Sequence, residues 1–185
     1  MAKAKTDQSF RMAQSKIVRR SELARIISDA RAQGKTVVST NGCFDVLHIG
    51  HVRYLQQARS MGDLLVVGVN SDESVKRLKG KGRPLVSEFE RLEVLAGLEC
   101  VDWVTLFTED TPVKLIEAVK PDIHVKGGDY RVKDLPEAEV MSRLGGRVVT
   151  IPLSSTRTEG YSSTDLLGKM KTAANQEAKE CTSDG

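Results

Sequence analysis

The sequence predicts an α/β protein, a single domain on a doubly wound parallel sheet of about five strands with an extra N-terminal helix. Three observations carry this expectation. Short apolar runs rich in β-branched residues alternate with amphipathic segments of helix length between residues 21 and 171. One run, "LLVVGV" (64–69), has no polar side, as suits a strand covered by helices on both faces of its sheet. Glycine, hydroxyl and basic residues gather directly after four of the strand-like runs, where strand-to-helix turns bind ligands in such sheets.

The elements follow in order. "SELARIISDARAQG" (21–34) places Leu23, Ile26, Ile27 and Ala30 on one helical face, with Ser21 as cap and Gly34 as terminator. "TVVST" (36–40) is β-branched and forms the first strand. "GHVRYLQQARSMG" (50–62) is a helix ending at Gly62, and "LLVVGV" is the second strand. In "SEFERLEVLAGL" (87–98), Ser87 and Glu90 have the spacing of a capping box. "DWVTLF" (102–107) is a strand, and "TPVKLIEAV" (111–119) a helix with Pro112 in its first turn, where the missing N–H costs no bond. "DIHV" (122–125), "PEAEVMSRLG" (136–145), "RVVTIP" (147–152) and "STDLLGKM" (163–170) complete the alternation. Right-handed crossovers then wind the sheet, and no internal repeat is present.

Composition narrows the class. With 39% hydrophobic and 29% charged residues in 185, the chain suits one soluble domain. No apolar run approaches the roughly 18 residues of a membrane span, and the first 20 residues lack the apolar core of a secretory signal. Cys43, Cys100 and Cys181 are odd in number and form no CxxC, which argues against a disulfide framework or structural zinc and for a cytoplasmic location. Residues 1–20 carry six basic side chains and one acid, a charge of +5, whereas the other 165 sum to −2. We therefore expect a basic, flexible tail over 1–20, a domain over 21–171 and a polar, flexible tail over 172–185, with neither nucleic acid nor membrane as partner.

The post-strand segments are "NGCFDVLHIGH", "NSDESVKRLKGKGRP", "KGGDY" and "SSTRTEGYSST". Their backbone N–H groups, hydroxyls and cations suit an anion with several phosphates. Two of the chain's three histidines, His48 and His51, stand i, i+3 across the first turn, so both rings can project from one side of the helix start. Gly50, between them, would let a ligand approach the backbone. Imidazoles there would donate to phosphate oxygens whose charge grows in a transition state. Ordinary capping and packing are the bland alternative; concentration of the pair at the ligand edge favours function. His124, inside "DIHV", reads as structural.

"HIGH" preceded by "TNGCFD" resembles the H-x-G-H signature of the nucleotidyltransferase superfamily, whose fold is Rossmann-like. The segments "VNSDESVKRLKG", "PDIHVKGGDY" and "EGYSST", in the same order, are similar to the adenylyltransferases that make ADP-heptose for the lipopolysaccharide core. The resemblance implies that ATP reacts with D-glycero-β-D-manno-heptose 1-phosphate and pyrophosphate leaves. It implies that His48 and His51 hold the triphosphate and stabilise charge at the α-phosphorus. Thr40, Asn41, Gly42 and Phe44 would lie under the nucleotide. Lys79, helped by Lys76, would reach the phosphates. Lys126 and Asp129 would flank nucleotide or sugar phosphate, with Gly127 and Gly128 allowing close approach, while Ser162, Ser163 and Thr164 would donate to phosphate. A homodimer is expected, as is a separate kinase to supply the sugar 1-phosphate.

One departure keeps a second reading open. "RTEGYSST" (157–164) is nearer the "RTEGISTT" of glycerol-3-phosphate cytidylyltransferases, whose arginine contacts the triphosphate, so Arg157 is a candidate for that contact. The base, adenine or cytosine, and the acceptor then stay alternatives, beside a third reading as a nucleotide-binding regulatory module without turnover. A sugar phosphate is already an anionic nucleophile, so the transfer needs positioning and charge neutralisation rather than a general base. Mg²⁺ would arrive on the triphosphate, held by phosphate oxygens and water.

Overall fold

The computed structural model describes residues 11–128, 130–152, 166–170, 172, 173 and 176. Strands β1 (Val37–Gly42), β2 (Leu64–Asn70), β3 (Trp103–Phe107), β4 (Ile123–Gly127) and β5 (Arg147–Ile151) form one sheet in the order β3-β2-β1-β4-β5. Every neighbouring pair is parallel. The chain winds outward from β1 to β3 and then returns to lay β4 on the other side of β1. Strand order reverses there, so the carboxyl ends of β1 and β4 flank the crevice where such sheets take ligands.

Helices α1 (Arg20–Ala32), α2 (Ile49–Arg59), α3 (Asp72–Lys79), α4 (Glu88–Ala96), α5 (Val113–Val119) and α6 (Pro136–Arg143) connect the strands. Side chains alternate across each strand. Val38, Leu65 and Val67 pack with Leu55 and Ala58 of α2 and Leu92 and Leu95 of α4. Val37 and Val66 pack oppositely, with Leu23 and Ile27 of α1 and Leu115 and Val119 of α5. This two-sided burial is why the strands read as unbroken apolar runs. Each such valine or leucine contributes roughly 1.5–3 kcal/mol by leaving water. At the amino end of the sheet, Asp63, Asp102 and Asp122 accept the N–H groups of Thr36, Leu65 and Val37, each at 2.8 Å. The opposite end is left to the functional loops.

Four expectations are corrected. Segment 72–79 is a helix, not a loop: the Ser71 side chain accepts the Ser74 N–H, acids fill the first turn, bases the last, and Gly80 (φ 88°) ends it. Ser21 does not cap α1, which starts one residue earlier behind Arg19 without a side-chain cap bond. Pro112 is the N-cap of α5 rather than a first-turn residue, a position equally indifferent to a missing N–H. Part of the expected tail is built onto the sheet. Residues Ala13–Lys16 form a 3-10 turn, Ile17 bridges Val104, and the Arg11 guanidinium lies 4.2 Å from the centre of the Trp103 ring. The free edge of β3 is thereby covered.

The Ser87–Glu90 capping box and the Gly34 terminus (φ 74°) are as expected. Residues 166–170 are helical. The remaining tail segments, 1–10 and 177–185, lie outside the described residues. Among the described residues no helix is long and apolar enough to cross a membrane.

Candidate active site

Thr40, Asn41 and Gly42 are the last residues of β1, paired with Val67, Gly68 and Val69 of β2. Their backbone is thus held by the sheet and not by a loop. Thr40 Oγ1 lies 2.5 Å from the Tyr54 hydroxyl, which donates to the Val125 carbonyl at 2.9 Å, locking α2 onto β1 and β4. Phe44 turns back with φ 47°, a left-handed conformation that folds its ring over Gly42. A Cβ on Gly42 would stand 3.0 Å from that ring, tight enough that the ring would have to shift to admit one. The same ring meets His51 edge-on, centroids 5.3 Å apart.

His48 and His51 stack with ring centroids 3.9 Å apart. His48 is the N-cap of α2; its Nδ1 accepts the Gly50 N–H at 3.1 Å. His51 Nδ1 in turn accepts the His48 N–H at 3.4 Å. A backbone amide can only donate, so each Nδ1 carries a lone pair and each neutral ring carries its proton on Nε2. Burial lowers the pKa of both rings, and the neighbouring His48 helps bring His51 to about 4. At neutral pH the pair is uncharged and offers two N–H donors on the sides away from the helix. Capping and function are therefore not alternatives: capping orients the donors. Gly50, expected to let a ligand approach the backbone, is buried and gives its N–H to His48.

The cations separate into groups. Lys79 is exposed at the end of α3. Burial raises the Cys43 pKa, and the nearby Lys79 and Arg91 charges oppose the rise. Lys76, expected beside it, is instead paired with Glu73 at 2.7 Å on the exposed surface. Lys126 crosses the crevice, donating to Asn41 Oδ1 at 3.3 Å and Glu137 Oε1 at 2.7 Å. Gly127 lies under the Tyr54 ring, which a Cβ would meet at 3.0 Å, and the Gly128 N–H is bonded to Ile151 O. His124 is structural as expected, buried with Nδ1 2.8 Å from Ser39 Oγ. Asp129, Arg157, Ser162, Ser163 and Thr164 lie outside the described residues.

Sequence reasoning missed the residues that hold the site's loops. Arg91 is 1% exposed; it donates to Cys43 O and, at 3.0 Å, to Val86 O, and pairs with Asp72 at 2.7 Å. Asp45, also buried, pairs with Arg83 and accepts the N–H groups of Leu85 and Val86 at 2.7 and 3.0 Å. Together they tie the β1 loop to the segment between α3 and α4. Asp45 stands inside the histidine motif and was open to notice. Arg91, Glu137 and Tyr54 sit in ordinary helical patterns and give no such signal.

The cytidylyltransferase-like family model matches residues 39–169, which include every element of this site. The chain belongs to the cytidylyltransferase-like family. Family membership makes it a nucleotidyltransferase of the H-x-G-H type. The bifunctional protein HldE of Geotalea uraniireducens (strain Rf4) is 50% identical over 163 residues, 88% of this chain and 32% of its own length. HldE of Citrifermentans bemidjiense is 56% identical over 137 residues, 74% of this chain and 28% of its own. The chain thus spans about a third of the length of these curated relatives. The crystal structure of the lipopolysaccharide core biosynthesis protein from Thermoplasma volcanium GSS1 is similar with a TM-score of 0.56 and 36% identity, covering 64% of this chain and 97% of that one.

Proposed function

We propose that this cytidylyltransferase-like chain joins ATP to D-glycero-β-D-manno-heptose 1-phosphate, giving ADP-heptose and pyrophosphate for lipopolysaccharide core synthesis. The observation that carries the chemistry is the stacked histidine pair, two neutral rings with Nε2–H donors held at the carboxyl edge of β1. An oxygen of the sugar 1-phosphate forms a bond to the α-phosphorus. The bond from that phosphorus to the bridging oxygen breaks, and pyrophosphate leaves with the electron pair. No proton need move, so the donors serve by stabilising charge on the phosphoryl oxygens. Lys79 and Lys126 supply positive charge from two sides, and Thr40, Asn41, Gly42 and Phe44 form the floor. By resemblance alone, Arg157 and the 162–164 hydroxyls are assigned to phosphate, and Asp129 is placed beside the nucleotide or sugar phosphate.

The choice of ATP and heptose phosphate is supported by the "KRLKG" and "VKGGDY" segments and by relatives named for HldE and for lipopolysaccharide core biosynthesis. Mg²⁺ is taken to travel with the triphosphate. Among the described residues no group of three His, Cys, Asp or Glu side chains is placed to hold a metal. A homodimer in the cytoplasm completes the reading. Pyrophosphate release measured for ATP and CTP against heptose 1-phosphate and glycerol 3-phosphate tests it. Turnover is expected only for ATP with heptose 1-phosphate. Activity confined to CTP overturns the assignment, and silence in all four pairings favours a regulatory module.

A further inference from the structure

One buried contact at the crevice is unexplained by the fold. Glu137, in the first turn of α6, is 1% exposed, so its carboxylate cannot meet a substrate directly. One oxygen bonds Lys126; the other is buried with no hydrogen-bond partner among the described residues. A carboxylate so placed is costly, and an apolar side chain of similar volume would serve packing as well or better. Its consequence lies in Lys126. A lysine ammonium is a point charge on a flexible stem and would otherwise sample many positions beyond the end of β4. Between Asn41 of β1 and Glu137 of α6 it is held across the place where strand order reverses.

We infer that Glu137 is a positioning residue that fixes the Lys126 ammonium for a substrate phosphate and, by half-neutralising it, keeps polyphosphate binding weak enough for release. The inference rests on the nucleotidyl-transfer reading of this crevice. Two effects of opposite sign follow when the carboxylate is made neutral. Lys126 gains effective charge and attracts polyphosphate more strongly, yet it loses its fixed position and serves the transition state less well.

The test is calorimetric affinity for inorganic pyrophosphate, together with kcat and KM for ATP, in wild type, Glu137→Gln, Lys126→Met and the double variant. Glu137→Gln should bind pyrophosphate about threefold more tightly while kcat falls about tenfold. Lys126→Met should bind it more weakly, and the double variant should match Lys126→Met, because Glu137 acts through that lysine. Should the glutamine variant fail to fold, Glu137→Met removes the charge at similar volume and carries the same expectation. Unchanged or weaker pyrophosphate binding without the Glu137 charge overturns the inference, as does additivity in the double variant. A wild type that binds pyrophosphate but turns over no substrate pairing overturns the proposed function and leaves the affinity comparison decisive for Glu137. A wild type that does not bind pyrophosphate overturns the inference about Glu137, and turnover alone then decides the proposed function.

Discussion

The amide of His48 donates to Nδ1 of His51, while Nδ1 of His48 takes the amide of Gly50, so the backbone of α2 orients both imidazoles. This reciprocal cap separates two properties that mutation can pull apart. Asparagine is among the best N-caps and lacks the imidazole. His48→Asn should therefore hold the melting temperature within a few degrees while turnover falls by about 10²-fold or more. His51→Ala should abolish turnover with the circular dichroism spectrum unchanged. Retention of most activity in either variant would remove the rings from the chemistry.

Stability should decline on acidification through the histidine range. An unfolded chain protonates its imidazoles near pH 6.5. In the fold, burial holds His51 down to about 4 and His124 to about 3. Between those values the unfolded state binds more protons, so stability is full above about 6.5 and is lost as pH falls toward 3. Melting temperatures from pH 7 to 4 should show this slope, and His124→Asn should flatten it. An equal slope in that variant would contradict the assignment.

Arg91 ought to be the most sensitive polar position outside the histidine motif. Its guanidinium joins Cys43, Val86 and Asp72 while fully buried. Arg91→Met should cost about 3–5 kcal/mol, because Asp72 and two carbonyls lose their partner together. Urea denaturation measures this directly, and a loss below about 1 kcal/mol would show that the loops do not depend on the clamp.

The two α3 lysines should behave differently. Lys79→Met is expected to lower kcat/KM by about tenfold or more with stability unchanged, as removal of one exposed cation from a phosphate site should. Lys76→Met, which loses only a surface pair with Glu73, should stay within about twofold of wild type. Equal effects of the two substitutions would put Lys76 back beside the triphosphate.

Much of the fold is written in local pattern. The apolar runs 64–69 and 147–152, the capping box at Ser87 and the glycine at 34 announce strands, helices and ends through periodicity and backbone preference, which act over a few residues. The histidine pair was legible for the same reason, since i, i+3 spacing at a strand-to-helix turn brings two rings together without distant help. Helix α3 is equally legible in its Ser71 cap and charge order, although its run of basic residues and glycines resembles a loop.

Only the assembled sheet decided which charged residues meet around the crevice. Placing β4 beside β1 brings Lys126 to Asn41, 85 positions away in sequence, and α6 delivers Glu137 to the same lysine. Packing α4 beneath the β1 loop turns Arg91 inward, although arginine in an amphipathic helix ordinarily faces water. Local pattern sets what each segment becomes; charge pairing across segments depends on who lies next to whom, which no short stretch of chain encodes.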